Sequence, residues 1–158
     1  MPPTSNPARS NYSARGYPNL TDEASDLQRI AVSELEQAER SFRSSKVLLD
    51  DGDVNGSVNR LYYALFHAAI AALINEGAEL AKSHAGLIAA FGAQLVKSGK
   101  IDVALGKLFN RVEHERLLAD YSGDTTDVKL LRELIAQSEL FLSAVRTLVR
   151  QRPSASSP

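Results

Sequence analysis

The chain contains no cysteine among its 158 residues. This absence excludes a disulfide scaffold, a thiolate zinc site, an iron–sulfur cluster and a cysteine nucleophile, and it fits the cytoplasm, the compartment that we expect. A large excess of either charge is also absent, because 18 basic and 19 acidic residues leave a formal net charge of −1. Any contact with nucleic acid must therefore come from a local basic patch.

The composition indicates one folded domain between two polar tails. Apolar residues make up 44% of the chain and charged residues 23%, as in globular proteins. Residues 1–20 and 152–158 are rich in proline and serine, and the first segment lacks the continuous apolar core of a signal peptide. We predict disordered tails at both segments and a single helical domain over residues 21–151.

Apolar residues recur three and four positions apart through this domain, which predicts helices. The first helix is expected to end at about Asp50, where Gly52 can take the left-handed conformation. In the second, from Asn55 to Asn75, Arg60 is the only charged side chain, and residues 61–74 are almost continuously apolar. Because a bilayer span needs about 20 such residues, this run predicts a helix at the centre of a bundle, with no membrane contact.

Three more helical stretches follow the second helix. One begins near Ser83 and runs to Gly99, a shorter one begins at Asp102, and the last begins at Thr125 or Asp127. No stretch alternates between apolar and polar residues over a useful length, so strands are not expected. The fold class predicted from these patterns is an all-α, antiparallel bundle of four to five helices.

Two groups of basic and aromatic residues are candidates for a binding site. Arg60, Tyr63 and His67 are spaced so that they share one face of the second helix, where they form either an internal hydrogen-bond network or an anion-binding pocket. Lys82 and His84 stand at the start of the third helix, where free backbone N–H groups could help them to hold a phosphate. The alternative for the second group is an exposed first turn without a ligand.

The fourth helix carries a third candidate group. Arg111 and Glu115 are four residues apart, as are Arg116 and Asp120, so each pair can form a helical ion pair. Together with His114, the two arginines suit phosphate binding, although a solvated helix face explains them equally well. The sequence has no Gly-rich phosphate loop, no HExxH and no carboxylate cluster with metal-ligand spacing, so we expect neither a metal nor a cofactor.

Four blocks of the sequence, in their order and spacing, resemble HEPN-domain proteins over about residues 27–149. The blocks are NRLYYALFHAAIAALI, KSHAGLIAAFGAQLVKSGKID, RLLADY and SELFLSAVRTLV. The resemblance implies a helical bundle that is usually a homodimer. It also implies membership of a family in which many proteins are metal-independent RNases of toxin–antitoxin, CRISPR-linked or anti-phage systems, often beside a small nucleotidyltransferase.

The sequence departs from the family's catalytic motif, in which a histidine follows an arginine by four to six residues. Arg116 matches that arginine, but Tyr121 stands where the histidine is expected and His114 precedes the arginine. Tyrosine is a poor general base at neutral pH. The candidate catalytic residues are therefore Arg116, His114 and Tyr121, with the pair Arg60 and His67 as an alternative.

Three functions remain open from the sequence. The first is a module that binds RNA or a nucleotide, or docks a nucleotidyltransferase antitoxin, through Arg60, Tyr62, Tyr63 and Arg116. The second is a metal-independent RNase with a degenerate or relocated Arg/His site, and the third is a non-catalytic helical dimer scaffold. We expect a homodimer, because the apolar faces exceed what one small bundle usually hides. We also expect Arg116 to be held by Asp120, with Tyr121 packed beneath it.

Overall fold

The computed structural model describes residues 20–151 of the chain. Residues 1–19 and 152–158, where the sequence predicts disordered tails, lie outside the described part. Five α-helices follow one another, and a π-helical segment extends the third of them: α1 (Leu20–Asp50), α2 (Val54–Asn75), α3 (His84–Phe91), the π-helical segment (Gly92–Val96), α4 (Val103–Ser122) and α5 (Val128–Arg150). Residues 20–151 contain no strand, which confirms the predicted all-α bundle.

Side-chain caps explain where the later helices begin. Asp53, Ser83, Asp102 and Asp127 each accept a hydrogen bond from a backbone N–H in the first turn of α2, α3, α4 and α5, respectively. Such caps satisfy N–H groups that have no partner within the helix. Between α1 and α2 the chain turns at Gly52, whose φ of +87° confirms the left-handed conformation predicted there.

Helix α2 is the centre of the bundle, as predicted. It packs against each of the other four helices. Its five alanines at positions 64, 68, 69, 71 and 72 are fully buried, and these small side chains allow the neighbouring helices to approach closely. By length and composition alone α2 could cross a membrane, but 67% of its most apolar window is buried inside the bundle. Burial of most of a helix in this way is typical of a core helix in a bundle.

The third and fourth helices differ from the prediction in length. The α-helical part of the third element has only eight residues, and the chain then widens into the π-helical segment, closed by a hydrogen bond of 3.0 Å from the Lys97 N–H to the Gly92 carbonyl. Helix α4, expected to be shorter than the third helix, is the longer of the two, with 20 residues. The two elements touch at Gly106, where a Cβ atom would lie 2.9 Å from Val96 Cγ2. Apolar spacing alone does not report such a change of helix type.

Candidate functional site

The candidate site is centred on Tyr62, a fully buried residue of α2. Its hydroxyl oxygen lies 3.0 Å from Nδ1 of His84, the first residue of α3. The guanidinium carbon of Arg116, on α4, lies 4.2 Å from the centre of the Tyr62 ring, within the range of a cation–π contact. Three helices therefore bring an imidazole and a guanidinium onto one tyrosine.

The environment of Tyr62 keeps its hydroxyl protonated. Burial raises the pKa of Tyr62 to about 12, and Glu113 adds to the effect, whereas the nearby Arg116 cation opposes it. A protonated hydroxyl can donate to Nδ1 of a neutral His84, in which case Nε2 carries the imidazole proton. His84 is exposed, so a ligand in solvent can reach that imidazole.

Arg116 is held on two sides but keeps capacity for a ligand. Its side chain is 14% exposed, and Nη1 donates to Asp120 Oδ2 over 3.0 Å, so the predicted pair is confirmed. Nε is buried and has no hydrogen-bond partner among the described residues. Because a guanidinium has five N–H donors, Asp120 satisfies only part of it.

The structure separates the other predicted residues of α4 from Arg116. The expectation that Tyr121 packs beneath Arg116 is wrong, because Tyr121 is 86% exposed and the ring beneath the guanidinium is that of Tyr62. His114 is exposed and two residues from Arg116, hence about 200° around the helix and on the opposite face.

The predicted ion pair of Arg111 with Glu115 is also absent from the described structure. Arg111 is exposed, and the carboxylate of Glu115 instead accepts a hydrogen bond of 3.0 Å from the hydroxyl of Thr126. Thr126 lies in the connection between α4 and α5, so Glu115 ties that connection to the helix rather than supporting an arginine.

The group predicted on α2 does form, with a partner that the sequence did not reveal. The guanidinium carbon of Arg60 lies 5.1 Å from the centre of the Tyr63 ring, and the centres of the Tyr63 and His67 rings are 6.4 Å apart. Nδ1 of His67 lies 2.6 Å from a carboxylate oxygen of Glu34, which comes from α1. The carboxylate can only accept, so His67 donates from Nδ1.

His84 brings the candidate group at the start of α3 next to the candidate group on α2, which the sequence suggested separately. The centre of its ring lies 4.6 Å from that of Phe66 and 6.3 Å from that of Tyr63. The exposed Lys82 precedes it by two residues. Phe66 was missed by the sequence reasoning, although its position four residues after Tyr62 on one helix face could have indicated it. Glu34 had no such signal, because it lies 33 residues from His67.

A groove elsewhere on the molecule is less suited to an anion. It has a volume of about 470 Å³ and lies between α1 and α5, and its charged lining residues are Glu36, Glu39, Arg146 and Arg150. Glu39 accepts a hydrogen bond of 2.9 Å from Arg146, so positive charge in this groove is already compensated. Within residues 20–151 no cluster of three histidine or acidic side chains is placed to hold a metal ion.

The fold is that of a small all-α helical bundle. The chain matches the HEPN domain family over residues 32–148, which is most of its length, and it belongs to that family, as the sequence predicted. It is 35% identical to a UPF0332 protein of Thermotoga maritima over 72% of this chain and 86% of that protein. It is 28% identical to a protein of Methanocaldococcus jannaschii described as a candidate toxin, over 80% of this chain and 93% of that protein.

Proposed function

We propose that this chain is a toxin-type HEPN protein that binds RNA or a nucleotide, with a phosphate group held by Arg116 and His84, both of which contact Tyr62. The observation that carries the proposal is the meeting of these two side chains on one buried ring. The relatives described as candidate toxins support the wider role.

The chemistry of the three side chains favours a phosphate. A guanidinium held at a fixed angle by Asp120 and Tyr62 needs no further ordering to offer a ligand the terminal N–H donors that Asp120 leaves, although its Nε is buried. The exposed imidazole of His84, which contacts the same tyrosine, adds a second donor, and hydrogen bonds to an anionic phosphate oxygen are stronger than those between neutral groups. The net charge of −1 requires a local site of this kind, because the whole molecule does not attract anions.

Binding of a labelled single-stranded RNA, followed by fluorescence anisotropy, tests the proposal. Arg116→Ala and His84→Ala should each weaken binding about ten-fold or more, and Arg116→Lys should recover only part of the loss because it lacks the planar fork. Arg150→Ala is the matched control, since Arg150 is an exposed arginine at the end of α5. Equal effects of Arg116→Ala and Arg150→Ala would contradict the site.

RNA cleavage is the second candidate function. The linear Arg/His motif is incomplete, but His84 meets Tyr62 at the ring over which Arg116 lies, and this supports a relocated pair. Histidine can transfer a proton near neutral pH, and arginine can stabilise negative charge on a reacting phosphate. Cleavage of RNA by the wild-type protein in the presence of EDTA, lost in His84→Asn at protein concentrations that saturate the RNA, would support this function over binding alone.

A second copy of the chain and a nucleotidyltransferase antitoxin belong to the same proposal. Leu117 and Leu118 on α4 are 37% and 39% exposed beside the exposed Tyr121, and such apolar side chains are available to a partner. Sedimentation at micromolar concentration should give a species of twice 17.1 kDa. Co-purification with the product of a neighbouring nucleotidyltransferase gene tests the other partner. A dimer that binds neither RNA, a nucleotide nor a nucleotidyltransferase would leave the dimer-scaffold alternative, whereas a monomer would contradict the proposed second copy and that alternative alike.

A further inference from the structure

Two aromatic side chains of α2 lie at the surface of the bundle rather than inside it. Tyr63 and Phe66 are half-buried, whereas Tyr62 next to them is fully buried. The ring centres of Tyr63 and Phe66 are 6.1 Å apart and the rings are nearly perpendicular. We call these two residues the aromatic strip. Their inner edges pack on the core, so their outer parts are held in place and remain accessible.

Both histidines of the α2–α3 region border the aromatic strip. The ring centre of His84 lies 4.6 Å from Phe66 and 6.3 Å from Tyr63, and that of His67 lies 5.9 Å and 6.4 Å from the same two rings. Arg60 covers part of Tyr63, with its guanidinium carbon 5.1 Å from the ring centre. The strip is therefore flanked by groups that carry or can acquire positive charge.

The composition of this border distinguishes the strip from an ordinary edge of the core. An edge is usually covered by aliphatic side chains or by the stems of long charged ones. Here the flanking groups are two imidazoles and one guanidinium, all planar and able to donate hydrogen bonds. Aromatic rings combined with arginine are the surface on which unstacked nucleobases bind, because every base offers a π face.

We propose that the aromatic strip is a nucleobase subsite, on which one base of the ligand stacks while the adjoining phosphate lies at Arg116 and His84. This inference rests on the proposed phosphate site, and it adds that the protein also binds the base next to that phosphate. His84 belongs to both subsites, since it contacts Tyr62 through Nδ1 and Phe66 through its ring. His67, fixed through Nδ1 by Glu34, keeps Nε2 for the edge of the base.

A ligand that lacks its bases separates the contribution of the base to affinity from that of the phosphate. The experiment compares a short single-stranded RNA with the same backbone lacking its bases, again by fluorescence anisotropy. The base-containing RNA should bind about ten-fold more tightly to the wild-type protein. Phe66→Leu and Tyr63→Leu should remove this difference and leave the affinity for the abasic strand unchanged. Tyr63→Phe keeps the ring and should keep the preference.

The control variant is Ile70→Leu, which changes a half-buried aliphatic residue one turn beyond Phe66 and should alter neither affinity. Thermal melts establish that every variant is folded. Equal affinity of the wild-type protein for both strands would overturn the nucleobase subsite and leave the phosphate site standing. Failure of both strands to bind would contradict the proposed function. In that case free adenosine and uridine, followed by saturation-transfer NMR, decide the subsite: binding lost in Phe66→Leu supports it, and no binding overturns it.

Discussion

Replacing Tyr62 by phenylalanine should change the way in which the stability of the protein depends on pH. Tyr62 is fully buried and its pKa is raised from 10.0 to about 12, so the folded protein resists ionisation of the hydroxyl more than the unfolded chain does. The stabilising effect is therefore complete below about pH 10 and is lost as the pH rises towards about 12.

The magnitude follows from the two pKa values. At about pH 11 the unfolded hydroxyl is mostly ionised and the folded one mostly neutral, which lowers the free energy of unfolding by about 1 kcal/mol relative to about pH 8. Tyr62→Phe has no hydroxyl to ionise, so it should not show this loss. At about pH 8 it should lose only the hydrogen bond to His84, which typically contributes about 0.5–1.5 kcal/mol.

Urea unfolding of both proteins at several pH values measures the effect. All other ionisable groups are common to both proteins, so their effects cancel in the difference between the two. Tyrosinate absorbance provides a direct check, because the component that titrates at about pH 12 should be missing from Tyr62→Phe. A difference in unfolding free energy that stays constant from about pH 8 to about pH 11 would refute the reasoning.

Three further predictions test the packing. Asp120→Ala should lower the free energy of unfolding by only about 0.5 kcal/mol, since that carboxylate is 43% exposed. Arg116→Ala should lower it by about 1–2 kcal/mol, because the contact with Tyr62 is lost. Equal losses of the two variants in urea unfolding would contradict this. Ala69→Asp should unfold the protein, because residue 69 is fully buried and an unpaired charge there costs several kcal/mol. A soluble variant with an unchanged Tm would argue against the central position of α2. Gly106→Ala should lower the free energy of unfolding by about 1–3 kcal/mol, because the added Cβ overpacks against the π-helical segment. Gly92→Ala has open space around its Cβ and should be neutral or stabilising. Similar Tm values for the two variants would contradict the close contact at Gly106.

The helices were predictable because the relevant information is local. A helix with one buried face repeats its apolar residues every three to four positions, and a cap needs only an aspartate or serine at the first turn. These signals located α2 as the core helix and the turn at Gly52. The family resemblance, carried by the order of four sequence blocks, was also available without a structure and is confirmed by the match over residues 32–148.

The sequence by itself determined the all-α class, the central helix, the family and the residue types that could bind a phosphate, because each depends on neighbours in the chain. Only the tertiary structure decided how these residues combine. The contacts of Arg116 and His84 with Tyr62 and the pairing of His67 with Glu34 depend on the rotation and offset of whole helices against one another. Those quantities arise from the packing of side chains between helices, and the apolar spacing within one helix does not specify which polar residue of a neighbouring helix will face it.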